Sequence, residues 1–113
     1  MGQRYLVVVD MQHDFVDGAL GTPEAQAIVA SVAAKAQAFD GIVVFTKDTH
    51  YSDYLQTLEG KNLPVEHCIH GTPGWELMPE LQAIRDERSS FVFEKTTFAS
   101  LDLAMWLAEE NVA

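Results

Sequence analysis

The sequence predicts an α/β fold built on a parallel sheet. Three short runs, residues 4–9, 41–46 and 90–94, are apolar and rich in β-branched or aromatic residues, the pattern of strands buried on both faces. A helix signal lies between the first two runs, and another follows the third. Alternating strands and helices in that order form right-handed βαβ units on a parallel sheet.

The first strand is Arg4-Tyr5-Leu6-Val7-Val8-Val9. The helix after it starts cleanly. Thr22 suits the N-cap, Pro23 the first helical position, and Glu24 the positive end of the helix dipole. Ile28, Val32, Ala36 and Phe39 recur at helical spacing and predict its apolar face. Asp40-Gly41 ends the helix and opens the second strand, Gly41-Ile42-Val43-Val44-Phe45-Thr46. The third strand, Ser90-Phe91-Val92-Phe93-Glu94, is the weakest of the three. A helix beginning near Ser100 would place Leu103, Trp106 and Leu107 on one side. From Thr49 to about Ser89 the pattern reads as a long connection, holding three of the four histidines and three prolines. A connection that long within a compact domain usually carries function.

The chain has 113 residues, enough for one small domain. Seventeen acidic residues against seven basic ones give a net charge of -10, which disfavours nucleic acid and anionic membrane as partners. The longest strongly apolar run, Tyr5–Val9, falls far short of the roughly 20 residues of a membrane span. Neither a signal peptide nor a myristoylation signal is recognisable at the start. The single cysteine, Cys68, excludes an internal disulfide and suits a cytoplasmic location.

Residues that can do chemistry collect at the predicted strand ends. Asp10 follows the first strand, where the ligand crevice of an open parallel sheet lies. A carboxylate there serves as a general acid or base, or simply caps a turn. Asp48 and His50 follow the second strand, two residues apart, and Glu59 and His67 come later in the long connection. Two carboxylates and two imidazoles make a donor set for zinc, iron or manganese, or else belong to a solvated acidic loop. Lys95 follows the third strand and reads either as a partner for Asp10 or as an exposed lysine. His13 and His70 read as loop residues, and Trp75, Trp106 and Phe39 as core. Cys68 beside His67 is a poor nucleophile pair, because sequence neighbours in a loop rarely face each other.

Four segments together resemble the isochorismatase-like cysteine hydrolases, within them the nicotinamidase/pyrazinamidase branch. They are Val7-Val8-Val9-Asp10-Met11-Gln12-His13-Asp14-Phe15, Thr46-Lys47-Asp48-Thr49-His50, Glu66-His67-Cys68-Ile69-His70-Gly71-Thr72-Pro73-Gly74 and Glu94-Lys95-Thr96-Thr97-Phe98. The resemblance implies a three-layer α/β/α fold with a doubly wound parallel sheet. It implies that residues 1–113 form a single domain of this kind, incomplete at its C-terminus. It implies an Asp–Lys–Cys triad to which Asp10 and Lys95 belong, while the family's cysteine would lie beyond Lys95 and Cys68 matches a different position. Asp48, His50 and His67 match the family's metal ligands, with Glu59 the best candidate for the third ligand in sequence order. Phe15 matches a substrate ring-packing position, but Leu63-Pro64-Val65-Glu66 lacks the aromatic residue nicotinamidases carry before the last histidine.

The expectation is therefore a hydrolase of a small amide, with a divalent ion as cofactor. Two other readings stand beside it: a metal-independent hydrolase of another small substrate, and a non-catalytic fragment or subunit that needs a second polypeptide. The first strand would keep one edge unpaired, and an apolar edge such as Leu6–Val9 is normally covered. A further segment or a neighbouring chain is expected there, and a homo-oligomer with it.

Overall fold

The computed structural model describes residues 3–96 and 101–109. Strands β1 (Tyr5–Val9), β2 (Ile42–Asp48) and β3 (Val92–Lys95) form one parallel sheet in the order β1-β2-β3. Val8 stands opposite Phe45, and Phe45 opposite Val92, so these three share one face. Five helices accompany the sheet among the described residues: α1 (His13–Val16), α2 (Pro23–Ala38), α3 (Leu58–Asn62), α4 (Pro79–Arg88) and α5 (Leu101–Glu109). Single 3₁₀ turns lie at Tyr54–Gln56 and Pro73–Trp75.

The first layer is α2 with α4. Val29 and Ala36 of α2 join Leu81 and Ile84 of α4, Val8 of β1, and Val43 and Phe45 of β2 in one buried cluster. Burying a side chain the size of Leu81 or Phe45 contributes about 1.5–3 kcal/mol each, so this face holds much of the domain together. On the other face Trp106 of α5 meets the rings of Tyr5, Phe91 and Phe93, each at 5.6 Å between centroids. Helices on both faces of a parallel sheet make the expected three-layer α/β/α arrangement.

Helix α2 begins as its sequence dictates. Thr22 Oγ1 accepts the N–H of Ala25 at 3.0 Å, and Pro23 opens the helix. Its buried face is the predicted one at Val32, Ala36 and Phe39, which join or pack against the core, and differs at one position: Val29 is buried in place of Ile28, which is 49% exposed. Alanine-rich helices bury whichever stripe brings the backbone closest to the sheet, so one large residue does not fix the face. Gly41 takes a φ of 147° between α2 and β2, and a Cβ there would meet the Arg4 carbonyl oxygen at 2.5 Å. Only glycine passes that point without strain.

Two further differences matter for the site. Strand β2 runs two residues past Thr46 and ends at Asp48, so this carboxylate is held by the sheet. The stretch 49–89 is not a bare connection, because it contains α3, and α4 occupies its last quarter and returns the chain to the sheet. β1 has no strand on its second edge among the described residues. Val8 is buried nonetheless, whereas Val9 is 59% exposed. Thr97, Phe98 and Ser100, named above, lie outside the described residues. No described helix is long and apolar enough to cross a membrane.

Candidate active site and metal centre

The three strands deliver their last residues to one place. Asp48 and Lys95 are in register on β2 and β3, so both side chains leave the same face of the sheet. Asp10, just past β1, takes a left-handed φ of 53° that turns the chain out of the sheet. Aspartate tolerates that conformation better than most residues. Its N–H is held by Thr46, at 3.2 Å from the carbonyl oxygen and 3.1 Å from Oγ1. The Thr46 hydroxyl donates in return to Asp10 Oδ1 at 2.7 Å, and Lys95 Nζ donates to Oδ2 at 2.8 Å. Both carboxylate oxygens of Asp10 are therefore engaged. Lys95 is buried, and its ammonium also lies 3.8 Å from Asp48 Oδ1.

Asp48 links this pair to two histidines. His50 Nε2 lies 3.0 Å from Asp48 Oδ2, within hydrogen-bond distance, and His67 Nε2 lies 3.5 Å from the same oxygen. His67 Nδ1 donates to the Val65 carbonyl at 2.7 Å, which leaves Nε2 as the lone-pair nitrogen of the neutral ring, facing Asp48. The loop carrying His67 is brought alongside β2 by a bridge between His50 and Ile69, in which the His50 N–H donates to the Cys68 carbonyl at 2.9 Å. Asp48, His50 and His67 each offer one ligand atom within 4.8 Å of the others, and all three are buried. One carboxylate and two imidazoles suit zinc, iron or manganese, and a histidine fixed through its second nitrogen is the usual arrangement around such ions. These residues fit a divalent metal. Glu59 lies on the wall of the same cavity but outside that close group.

That cavity has a volume of about 380 Å³. Asp10, Phe15, Asp48, His50, Glu59, His67 and Lys95, the candidates from the sequence, all line it. The Phe15 ring stands edge-on to His67 with centroids 5.4 Å apart. Cys68 is fully buried and is not part of the lining. Burial pushes its thiol well above the ordinary range, the carboxylates of Asp48, Asp14 and Asp10 add to the shift, and Lys95 opposes it. A thiol so disposed stays protonated and is no nucleophile. His13 forms an exposed pair with Asp17 at 2.9 Å, and His70 packs between the rings of Tyr51 and Trp75, both away from the cavity.

Sequence reasoning missed four supporting residues. Thr46 orients Asp10 as described. Tyr54, 1% exposed, sets its ring 4.5 Å from His50 and 5.0 Å from His67, and donates its hydroxyl to the Leu63 carbonyl at 2.8 Å. Burial, then the charges of Asp48 and Glu59, raise the Tyr54 phenol above its ordinary value, so it remains a neutral wall. Gln12 and Asp14 reach from the turn after β1 to Asp48 and Cys68. No spacing rule reveals the contacts of Thr46, Gln12 and Asp14, because each joins residues more than thirty positions apart.

Residues 4–113 match the family model of the isochorismatase domain, and the chain belongs to that family. The solved structures similar to it include nicotinamidases. The nicotinamidase/pyrazinamidase of Bacillus subtilis shares 31% identity at a TM-score of 0.84, over all of this chain and 68% of that one. The pyrazinamidase/nicotinamidase of Streptococcus mutans shares 30% at 0.82, over 96% of this chain and 66% of that one. The pyrazinamidase of Pyrococcus horikoshii, solved in complex with zinc, shares 29% at 0.71, over 96% of this chain and 65% of that one. The chain thus spans about two thirds of the length of these relatives. No curated protein sequence matches it significantly.

Proposed function

We propose that these residues form the greater part of the active site of a small-amide hydrolase, with nicotinamide-like compounds as the substrate class. The observation that supports it most is the part-buried Lys95–Asp10 pair, 2.8 Å apart, on the wall of the same cavity as the Asp48, His50 and His67 group. The similar nicotinamidase and pyrazinamidase structures support the substrate class.

In this reading Asp10 is the proton carrier. Its carboxylate takes the proton of a cysteine thiol and later gives it to the departing ammonia. Lys95 stabilises the thiolate and, through its 2.8 Å contact, holds the Asp10 carboxylate in position. The thiolate attacks the amide carbonyl, the C–N bond breaks, and water hydrolyses the resulting thioester. The nucleophilic cysteine would lie C-terminal to Lys95 in the family's order, and Cys68 does not fill that place. Phe15, on the cavity wall, gives the substrate ring an apolar surface. Asp48, His50 and His67 would hold a divalent ion, with Glu59 near it on the cavity wall. Such an ion would supply an anchoring charge that orients the substrate.

The test is ammonia release from a panel of small amides, with and without chelator, on protein of known intact mass. A polypeptide that extends beyond residue 113 with the family's cysteine should release ammonia from nicotinamide or pyrazinamide, and chelator should slow it. A polypeptide with the mass of 113 residues alone should release none. Turnover by that short form, abolished by Cys68→Ala, would overturn the placement of the nucleophile.

A further inference from the structure

We infer that the turn after β1 is a two-ended clamp on the metal-binding group, with Gln12 and Asp14 as its positioning residues. This rests on the metal-site reading above. The three ligands come from two separate stretches of chain: Asp48 and His50 from the end of β2, His67 from the loop that returns to it. Residues 12–15 touch both.

At one end Gln12, fully buried, holds both backbone polar groups of Asp48. Its Nε2 donates to the Asp48 carbonyl at 2.9 Å, and its Oε1 accepts the Asp48 N–H at 2.9 Å. The second Nε2 hydrogen goes to the Trp75 carbonyl at 2.8 Å. One side chain thereby fixes the backbone from which the carboxylate ligand projects, and both of its amide hydrogens are used.

At the other end Asp14 Oδ2 accepts the N–H of Cys68 at 2.7 Å. Cys68 directly follows His67 and takes a φ of 50°, a conformation a residue with a side chain keeps only when its surroundings hold it there. Phe15 then closes on the His67 ring. Gly74 backs the Asp14 carboxylate so closely that a Cβ at that position would overlap both of its oxygens. The clamp thus sets the distance between the two ligand-bearing stretches, and with it how ready the site is to take an ion.

The experiment is zinc affinity, measured by competition with a chromogenic chelator, on the 113-residue chain and its variants, each checked for folding by circular dichroism. Asp14→Ala is expected to bind zinc about 10- to 100-fold more weakly, the range for lost partners behind metal ligands. Asp14→Asn keeps an oxygen that can accept the Cys68 N–H and is expected to stay near wild type. Gly74→Ala displaces the Asp14 carboxylate without altering it, so it should weaken zinc in the same way and carries the test should Asp14→Ala fail to fold. Gln12→Met, close in size, should weaken zinc from the Asp48 end. Cobalt in place of zinc should show altered ligand-field bands in Asp14→Ala, which a loss of stability alone would not produce. Wild-type zinc affinity in both Asp14→Ala and Gly74→Ala would overturn the clamp. Absence of zinc binding by the wild-type chain would instead overturn the metal reading beneath it.

Discussion

Replacing Lys95 with methionine removes a cation and keeps most of the side-chain volume. Lys95 Nζ lies 2.8 Å from Asp10 Oδ2 and 3.8 Å from Asp48 Oδ1, and the three side chains are 8%, 19% and 11% exposed. At an effective dielectric near 20 these attractions are worth about 6 and about 4 kcal/mol before desolvation. Desolvation of the buried ammonium offsets much of that. Removing one partner of a buried pair costs about 3–5 kcal/mol, because the remaining charge is left unanswered. Asp10 keeps the Thr46 hydroxyl at 2.7 Å and some contact with water, which places the expected loss at the lower end, about 3 kcal/mol. In a domain of this size about 3 kcal/mol lowers the melting temperature by roughly 12–24 °C. The assay is urea and thermal unfolding of the metal-free 113-residue chain, followed by circular dichroism. A loss below about 1 kcal/mol, the scale of an exposed pair, would refute the reasoning.

Other consequences are simpler to read. Iodoacetamide at mildly alkaline pH should leave Cys68 unmodified in the folded chain, because burial raises its thiol pKa and blocks access, and rapid native-state alkylation detected by mass would contradict this. The same shift gives a sign for pH: the unfolded thiol ionises at a lower pH than the folded one, so Cys68 makes stability fall as pH rises through the unfolded thiol's range, and Cys68→Ala should flatten that fall in alkaline urea titrations. Gly41→Ala should cost about 1–3 kcal/mol in the same unfolding assay, since the positive-φ backbone and the Arg4 carbonyl both oppose a Cβ, and an unchanged midpoint would contradict the fit described.

Much of the fold is legible because its strands are short blocks of valine, isoleucine and phenylalanine with turn residues beside them. The start of α2 is legible for the same local reason, a Thr-Pro-Glu sequence whose cap forms as expected. Helix α4 is not. Of its ten residues, Pro79–Arg88, only Leu81 and Ile84 are buried apolar side chains, and the polar remainder hides the period. Pro79 at its first position was the available signal. Asp10, Asp48 and Lys95 could be placed together because a parallel sheet brings all its strand ends to one edge. The distance of Glu59 from the ligand group could not be read, because a short helix and a 3₁₀ turn, not strand geometry, set where it stands. Gln12, Thr46 and Tyr54 act through contacts that only the folded chain creates.

The central claim is that Asp10, held between Thr46 and Lys95, moves the proton in amide hydrolysis. Its most direct test is the steady-state release of ammonia from nicotinamide by an active polypeptide containing residues 1–113, wild type against Asp10→Asn. Asparagine keeps the shape of the side chain and can still meet the Thr46 hydroxyl, so the variant should fold, and circular dichroism checks that it does. The account predicts a fall in kcat of about 10²- to 10⁴-fold, with KM little changed. A folded Asp10→Asn protein that turns over at the wild-type rate would contradict it.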